Sequence, residues 1–201
     1  MNWIEYWNNN DIDNLPWETY IPDKNLVSFF SSNNIKFKTA IDIGCGLGTN
    51  SLWMASQGIK VTGIDISERA IDTAKSNLKN KNLQVDFDVM NFLENNTLSD
   101  NYYDLVFDRG CIHGMNYGDI EKFAYEVSRI ISPSGLWLSI IGSYDGKEVY
   151  CGPPRRTCSE MISFIEPHMK IVNLCSTTME ISNNVTVDAW VLVSKKRILD
   201  I

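Results

Sequence analysis

With 201 residues, 44% of them hydrophobic, the chain is long enough for one substantial core, and no Pro-, Gly- or Ser-rich run divides it, so a single domain is expected. A formal net charge of −7 and a pI near 4.8 argue against nonspecific attraction to nucleic-acid phosphates or anionic lipid, and the basic clusters Arg155-Arg156 and Lys195-Lys196-Arg197 read as solvated surface. No basic start leads into an apolar run and no segment is apolar enough to span a bilayer, so a cytoplasmic protein is expected, and its scattered cysteines (Cys45, Cys111, Cys151, Cys158, Cys175) fit reduced thiols without zinc-ligand spacing.

Residues 1–24 carry Trp3, Trp7 and Trp17 in a segment whose polar runs and two prolines prevent a long regular element. These indoles either anchor a terminal arm or cover a cavity with rigid amphipathic surface. Asn25 to Ser32 presents Leu26, Val27, Phe29 and Phe30 at helical spacing. In Thr39–Gly48, Ala40, Ile41 and Ile43 suit a strand buried on both faces, and Gly44, Gly46 and Gly48 then let the backbone turn and approach a ligand closely. A helix is expected at once, over Asn50 to Ala55, with the free N–H groups of its first turn facing the glycine loop, where an anionic or polar ligand group can bind. Lys60 to Ile64 forms a second strand, ending at Asp65, about 20 residues beyond the first glycine, where dinucleotide-type folds place the acid that grips a ribose.

Ser67 is the expected N-cap of a helix running to about Asn80, with Ala70, Ile71, Ala74 and Leu78 as its buried stripe. Leu83 to Val89 alternates as a strand and ends in Met90-Asn91-Phe92. Tyr103 to Phe107 is the fourth strand and leads into Asp108-Arg109-Gly110-Cys111-Ile112-His113. Since ligands lie at the carboxyl ends of strands, Asp108, Arg109 and His113 are expected in the same cleft as Gly44 to Gly48. Asp119 to Ile131 is a helix stopped by Pro133, and Gly135 to Ile141 a fifth strand. The loop Tyr144 to Arg156 opens at the ligand end, where its arginines can meet an anionic substrate. A helix over Cys158 to Pro167 and strands over Met169 to Leu174 and Val185 to Val193 complete the chain.

The run Asp42-Ile43-Gly44-Cys45-Gly46-Leu47-Gly48 resembles the first motif of class I S-adenosylmethionine-dependent methyltransferases, and the resemblance extends over roughly residues 35 to 195. It implies an α/β fold: a Rossmann-like, seven-stranded, mostly parallel sheet with a C-terminal antiparallel hairpin and helices on both faces. Residues 1–34 would form an N-terminal cap and helix, and 35–201 the core. It implies S-adenosylmethionine as cofactor, with its methionine part facing Asp42, Gly44, Cys45, Gly46 and Gly48, its ribose on Asp65 beside Ile66, and its adenine among Met90, Asn91 and Phe92. Asn91 stands where many of these enzymes have an Asp, so its amide oxygen would accept from the adenine amino group without charge. Asp108-Arg109-Gly110, Glu5-Tyr6-Trp7-Asn8-Asn9 and Leu15-Pro16 resemble the thiopurine methyltransferase family, Pro16-Trp17-Glu18 is similar to the tellurite-resistance methyltransferases, and Gly152-Pro153-Pro154-Arg155 looks like other small-molecule methyltransferases. The first of these implies that Arg109 pairs with the cofactor carboxylate, a role suited to a planar guanidinium.

A sulfonium makes its methyl group electrophilic, so alignment and desolvation can suffice and a base is optional. His113 is the candidate base, against the alternative that it only hydrogen-bonds its loop; Asp108 either handles substrate and proton or orders the turn. Cys111 reads as a small buried hydrophobe and His168 as structural. No compact Asp, Glu and Asn set follows the fourth strand, so no metal is expected, and no Asn/Asp-Pro-Pro-Tyr/Phe run points to nucleic-acid bases. The expectation is therefore methylation of a small molecule, a thiol or similar soft nucleophile, by a monomer or weak homodimer. Trp7 would close over cofactor and acceptor, with Trp17, Tyr144 and Arg155 on the acceptor side. The alternatives are a cofactor-binding regulatory module without turnover, and a methyltransferase acting on protein or nucleic acid.

Overall fold

The computed structural model describes residues 2–32, 36–94, 97–144, 154–181 and 185–197. The strands are β1 (Thr39–Ile43), β2 (Lys60–Asp65), β3 (Val85–Val89), β4 (Tyr103–Arg109), β5 (Ile131–Gly142), β6 (Met169–Ile181) and β7 (Val185–Lys196); the helices are α1 (Trp3–Asn9), α2 (Lys24–Ser32), α3 (Thr49–Ser56), α4 (Glu68–Leu78), α5 (Tyr117–Ile130) and α6 (Cys158–Ile165). Among the described residues one seven-stranded sheet has the order β3-β2-β1-β4-β5-β7-β6, parallel from β3 through β5, with β7 antiparallel to both of its neighbours. This is the expected Rossmann-like sheet with its terminal hairpin. The order reverses between β1 and β4, and that switch point puts a crevice at their carboxyl ends.

Strand alternation sorts side chains onto the two faces. Ile41, Ile43, Val106, Trp137 and Ile141 pack with Phe123 and Val127 of α5 and Met161 and Ile165 of α6. Ala40, Leu105, Phe107, Leu138 and Ile140 pack with Leu26 of α2, Met54 and Ala55 of α3, and Ile71 and Ala74 of α4. Helix starts follow capping chemistry: Ser67 Oγ accepts from Ala70 N, Asn116 Oδ1 from Asp119 N, and Thr157 and Glu160 form a capping box. Among the described residues no helix is long and apolar enough to cross a membrane.

Three elements differ from the sequence reading. The arm is more regular than its composition suggests, because Asn2 caps a seven-residue helix that buries Trp7. Pro133 does not separate α5 from the fifth strand: β5 begins at Ile131, directly after the helix, and Pro133 is exposed at a register shift opposite Tyr103 to Leu105. Finally, β6 continues to Ile181 and β7 to Lys196. The polar stretch Ser176 to Glu180 is held in the strand by its ladder with β7 and by α2, where Asn25 Nδ2 donates to Thr178 O and Thr177 Oγ1 to Asn25 Oδ1.

One ring fixes how closely β2, β3 and α3 approach. A Cβ on Gly63 would stand 2.6 Å from two carbons of the Phe87 ring and 3.1 Å from Ser51 Oγ, and Phe87 is buried with nowhere to retreat. Gly63→Ala should therefore destabilise the fold by about 1–3 kcal/mol in urea titrations, with Phe87→Leu in the same background recovering part of the loss.

Candidate active site

The glycine turn after β1 has positive φ at Gly44, Gly46 and Gly48, a conformation that only glycine adopts without strain. Its amides are already engaged: Gly44 N and Cys45 N donate to Ile64 O at 2.8 and 2.9 Å, and Gly46 N donates to Asp65 Oδ2 at 3.0 Å. The loop thus lies down on the end of β2, with its own N–H groups spent on protein acceptors. Asp65 Oδ1 accepts from Ser67 N at 2.9 Å, so each oxygen holds one backbone donor and keeps a lone pair for a ligand. Burial raises the Asp65 pKa, against the Ser67 and Gly46 amides. Asp42 accepts from Ser51 Oγ at 2.6 Å; burial pushes it up to about 7, with the neighbouring Asp108 and Asp65 carboxyls adding to the rise.

A cavity of about 1090 Å³ opens over this turn. It gathers Asp42, Gly44, Cys45, Gly46, Asp65, Ile66, Met90, Asn91, Phe92, Arg109, His113, Trp7, Trp17 and Arg155 of the predicted residues. Three others are elsewhere. Gly48 starts α3, where a Cβ would meet the Phe87 ring at 2.7 Å, so packing demands this glycine. Asp108 is wholly buried behind the cavity wall, its Oδ2 accepting from Trp137 Nε1 at 2.9 Å, and burial lifts it to about 7; it orders the core and is not at hand for substrate. Tyr144 points outward, 64% exposed, and the loop residues 145–153 that follow it, with Gly146, Cys151, Gly152 and Pro153, lie outside the described residues. Asn91 Oδ1 already accepts from Leu93 N at 3.1 Å, which leaves one lone pair for an adenine amino group.

The arm roofs the cavity as an aromatic cluster. Trp17 stands at its centre, with ring centroids 5.1 Å from Tyr6, 5.5 Å from Trp3 and 5.7 Å from Trp7. Arg69 Nη1 of α4 donates to Trp7 O at 2.7 Å and Asn10 O at 2.9 Å, while Glu18 Oε1 accepts from Thr49 Oγ1 at 2.9 Å. Sequence reading missed Tyr6, Glu18, Met115, Met179 and Ile181 as wall residues, and Arg155 and Arg156, read also as solvated surface, line the cavity with Arg156 buried. The motif-like runs Glu5-Tyr6-Trp7-Asn8-Asn9 and Pro16-Trp17-Glu18 carried a signal for Tyr6 and Glu18; Met179 and Ile181 arrive on the long hairpin, far along the chain.

Two roles change. Arg109, expected on a cofactor carboxylate, donates from Nε to Asp23 Oδ2 at 2.7 Å, from Nη1 to Trp17 O at 3.1 Å, and from Nη2 to Glu180 O, so its guanidinium is committed to protein. His113, expected as a base, is 4% exposed and its Nδ1 accepts from Gly142 N at 3.0 Å, which fixes the neutral ring with its proton on Nε2. Burial, then Arg156, Arg155 and Arg109, lower its pKa to about 4. Burial and the nearby Asp carboxyls drive the Cys45 and Cys111 thiols well above their ordinary range, so both remain protonated. Because His113 titrates lower folded than unfolded, its contribution to stability is complete above pH 6.5 and is lost as pH falls toward 4. Urea unfolding across that window should show wild type losing on the order of 3 kcal/mol relative to His113→Asn.

A family model described as a methyltransferase domain matches residues 40–135. An uncharacterized methyltransferase of Schizosaccharomyces pombe is 36% identical over 102 residues, which are 50% of this chain and 70% of the relative. Norajmaline N-methyltransferase of Rauvolfia serpentina is 37% identical over 111 residues, 54% of this chain and 37% of that enzyme. Among solved structures, one described by "Conversion of a Disulfide Bond into a Thioacetal Group during Echinomycin Biosynthesis" superposes with a TM-score of 0.84 at 19% identity, over 96% of this chain and 90% of that one. TehB from Haemophilus influenzae does so with a TM-score of 0.71 at 15% identity, over 86% and 62%. The glycine turn on the end of β2, the acid that receives it and these matches lead to one conclusion: the chain belongs to the class I S-adenosylmethionine-dependent methyltransferases.

Proposed function

We propose that this enzyme methylates a small acceptor whose nucleophile is a thiol or another soft, readily ionised atom. S-adenosylmethionine supplies an electrophilic methyl on a cationic sulfur. The residues here fit it: Gly44 and Gly46 present bare backbone to the cavity, a Cβ on Gly46 would lie 3.7 Å from the Trp7 ring, and the Asp65 carboxylate has lone pairs left for a ribose diol. Asp42 and Asp65 line the cavity beneath the turn, where a cationic ligand favours their ionised forms. In this reading Asp65 holds the ribose, Met90, Asn91 and Phe92 flank the adenine, and Trp7 and Trp17 exclude water during transfer.

The observation that carries the acceptor class is the hydrogen bond from Gly142 N to His113 Nδ1. It spends the lone pair that a base would need and leaves His113 as an N–H donor. The acceptor must then lose its own proton, which a thiol does near neutral pH and an alcohol does not. Arg155 and Arg156 line the same end of the cavity, where positive charge favours an ionised acceptor. A small acceptor is also supported by the roofed cavity, by the net charge of −7, which opposes nucleic acid, and by relatives named for norajmaline and ubiquinone-biosynthesis methylation.

Calorimetry on Asp65→Ala should show S-adenosylmethionine affinity reduced by at least about tenfold, and unchanged affinity would remove Asp65 from the ribose. Tritiated methyl transfer should label thiols, selenite or tellurite in preference to amines and carboxylates. On the labelled acceptor His113→Asn should retain transfer to within about fivefold, whereas loss of a general base costs about 100-fold or more. Label confined to amines or carboxylates would overturn the soft-nucleophile reading.

A further inference from the structure

At the end of β4, Arg109 joins two segments that are remote in sequence and that both wall the cavity. Its Nη1 donates to the carbonyl of Trp17 in the arm, and its Nη2 to the carbonyl of Glu180 on β6, between Met179 and Ile181. Its Nε donates to Asp23 Oδ2 at 2.7 Å, and the two side chains are 12% and 1% exposed, so the pair is shielded from water and salt. Asp23 is a fixed post: its Oδ1 accepts from Asn25 N at 2.8 Å and its N–H donates to Asn50 Oδ1 of α3 at 2.9 Å. The guanidinium is a rigid fork whose donors diverge toward three acceptors, a geometry a lysine ammonium on a flexible stem does not supply.

We propose that Arg109 is a positioning residue that locks the arm and the β6–β7 hairpin together as one wall on the acceptor side of the cavity. Trp17 and Met179 then keep a fixed separation, and the wall admits acceptors by size. That consequence rests on the reading of this cavity as the methyl-transfer site; the lock itself does not.

Hydrogen exchange on the ligand-free protein reads the lock directly. Arg109→Gln and Asp23→Asn should each speed exchange by about tenfold in both 12–20 and 174–181 and leave β1, β2 and β3 protected, because one charge-assisted contact fastens both segments. Arg109→Lys, which keeps the charge opposite Asp23 but not the fork, should loosen both segments less. Should Arg109→Gln not fold, Asp23→Asn and Arg109→Lys give the same reading. Loosening of one segment alone, or of neither, would overturn the lock. A second measurement separates it from cofactor binding: Arg109→Gln should weaken S-adenosylhomocysteine and methylthioadenosine by the same factor. A loss at least about tenfold greater for the carboxylate-bearing ligand would return Arg109 to the cofactor and overturn the proposal.

Discussion

The carboxylate of Asp65 receives the amide of Gly46 on one oxygen and that of Ser67 on the other, and the ligand end of the sheet is organised around this contact. It fastens the turn after β1 to the end of β2 and aligns the start of α4, so three elements share one buried acid. The tie needs the left-handed backbone at Gly44 and Gly46, since a residue with a Cβ strains there, and at Gly44 it would also crowd Cys111 Sγ at 3.3 Å. Burying a carboxylate is costly unless its oxygens are hydrogen-bonded. Here the same bonds that offset that cost shape the floor of the cavity.

The region beneath the turn carries more acid than its surroundings solvate. Asp42 and Asp108 both titrate near 7, and Asp65 is raised as well, chiefly because burial penalises their charge. Each has a specific partner, Ser51 for Asp42 and Trp137 for Asp108, so the three are not equivalent. Asp108 is sealed into the core by a tryptophan indole, whereas Asp42 and Asp65 reach the cavity. A cationic ligand above the turn favours the ionised forms of Asp42 and Asp65, which face it.

One side of the cavity is built from segments far apart in the chain. The arm contributes the Trp3, Tyr6, Trp7 and Trp17 cluster, held by Arg69 and Glu18, and the extended hairpin contributes Met179 and Ile181. Between them the doubly wound core supplies the turn and the walls around Asp65 and Asn91. Family resemblance is concentrated in that core, where backbone geometry is demanding. The walls from the arm and hairpin are aromatic and aliphatic surface, which many sequences can provide.

What the sequence by itself determined is the central α/β unit: the buried run Ala40 to Ile43, three alternate glycines, a helix, a second apolar strand and the terminal Asp65, each a local requirement of strand burial, turn conformation or capping. It also marked Trp7 and Trp17 as too apolar for a free arm. Tertiary structure alone decided the rest, because partners lay far along the chain. Arg109 finds Asp23 86 residues away and Glu180 71 residues away, and so serves the walls where local resemblance assigned it to a ligand. His113 became a donor because Gly142, 29 residues on, spends its N–H on Nδ1. Ser176 to Glu180 lies beyond the strand expected over Met169 to Leu174, and joins it because the β7 ladder and α2 supply its hydrogen bonds. A residue's type sets which bonds it can make; which of them it makes depends on what the fold brings within three ångströms.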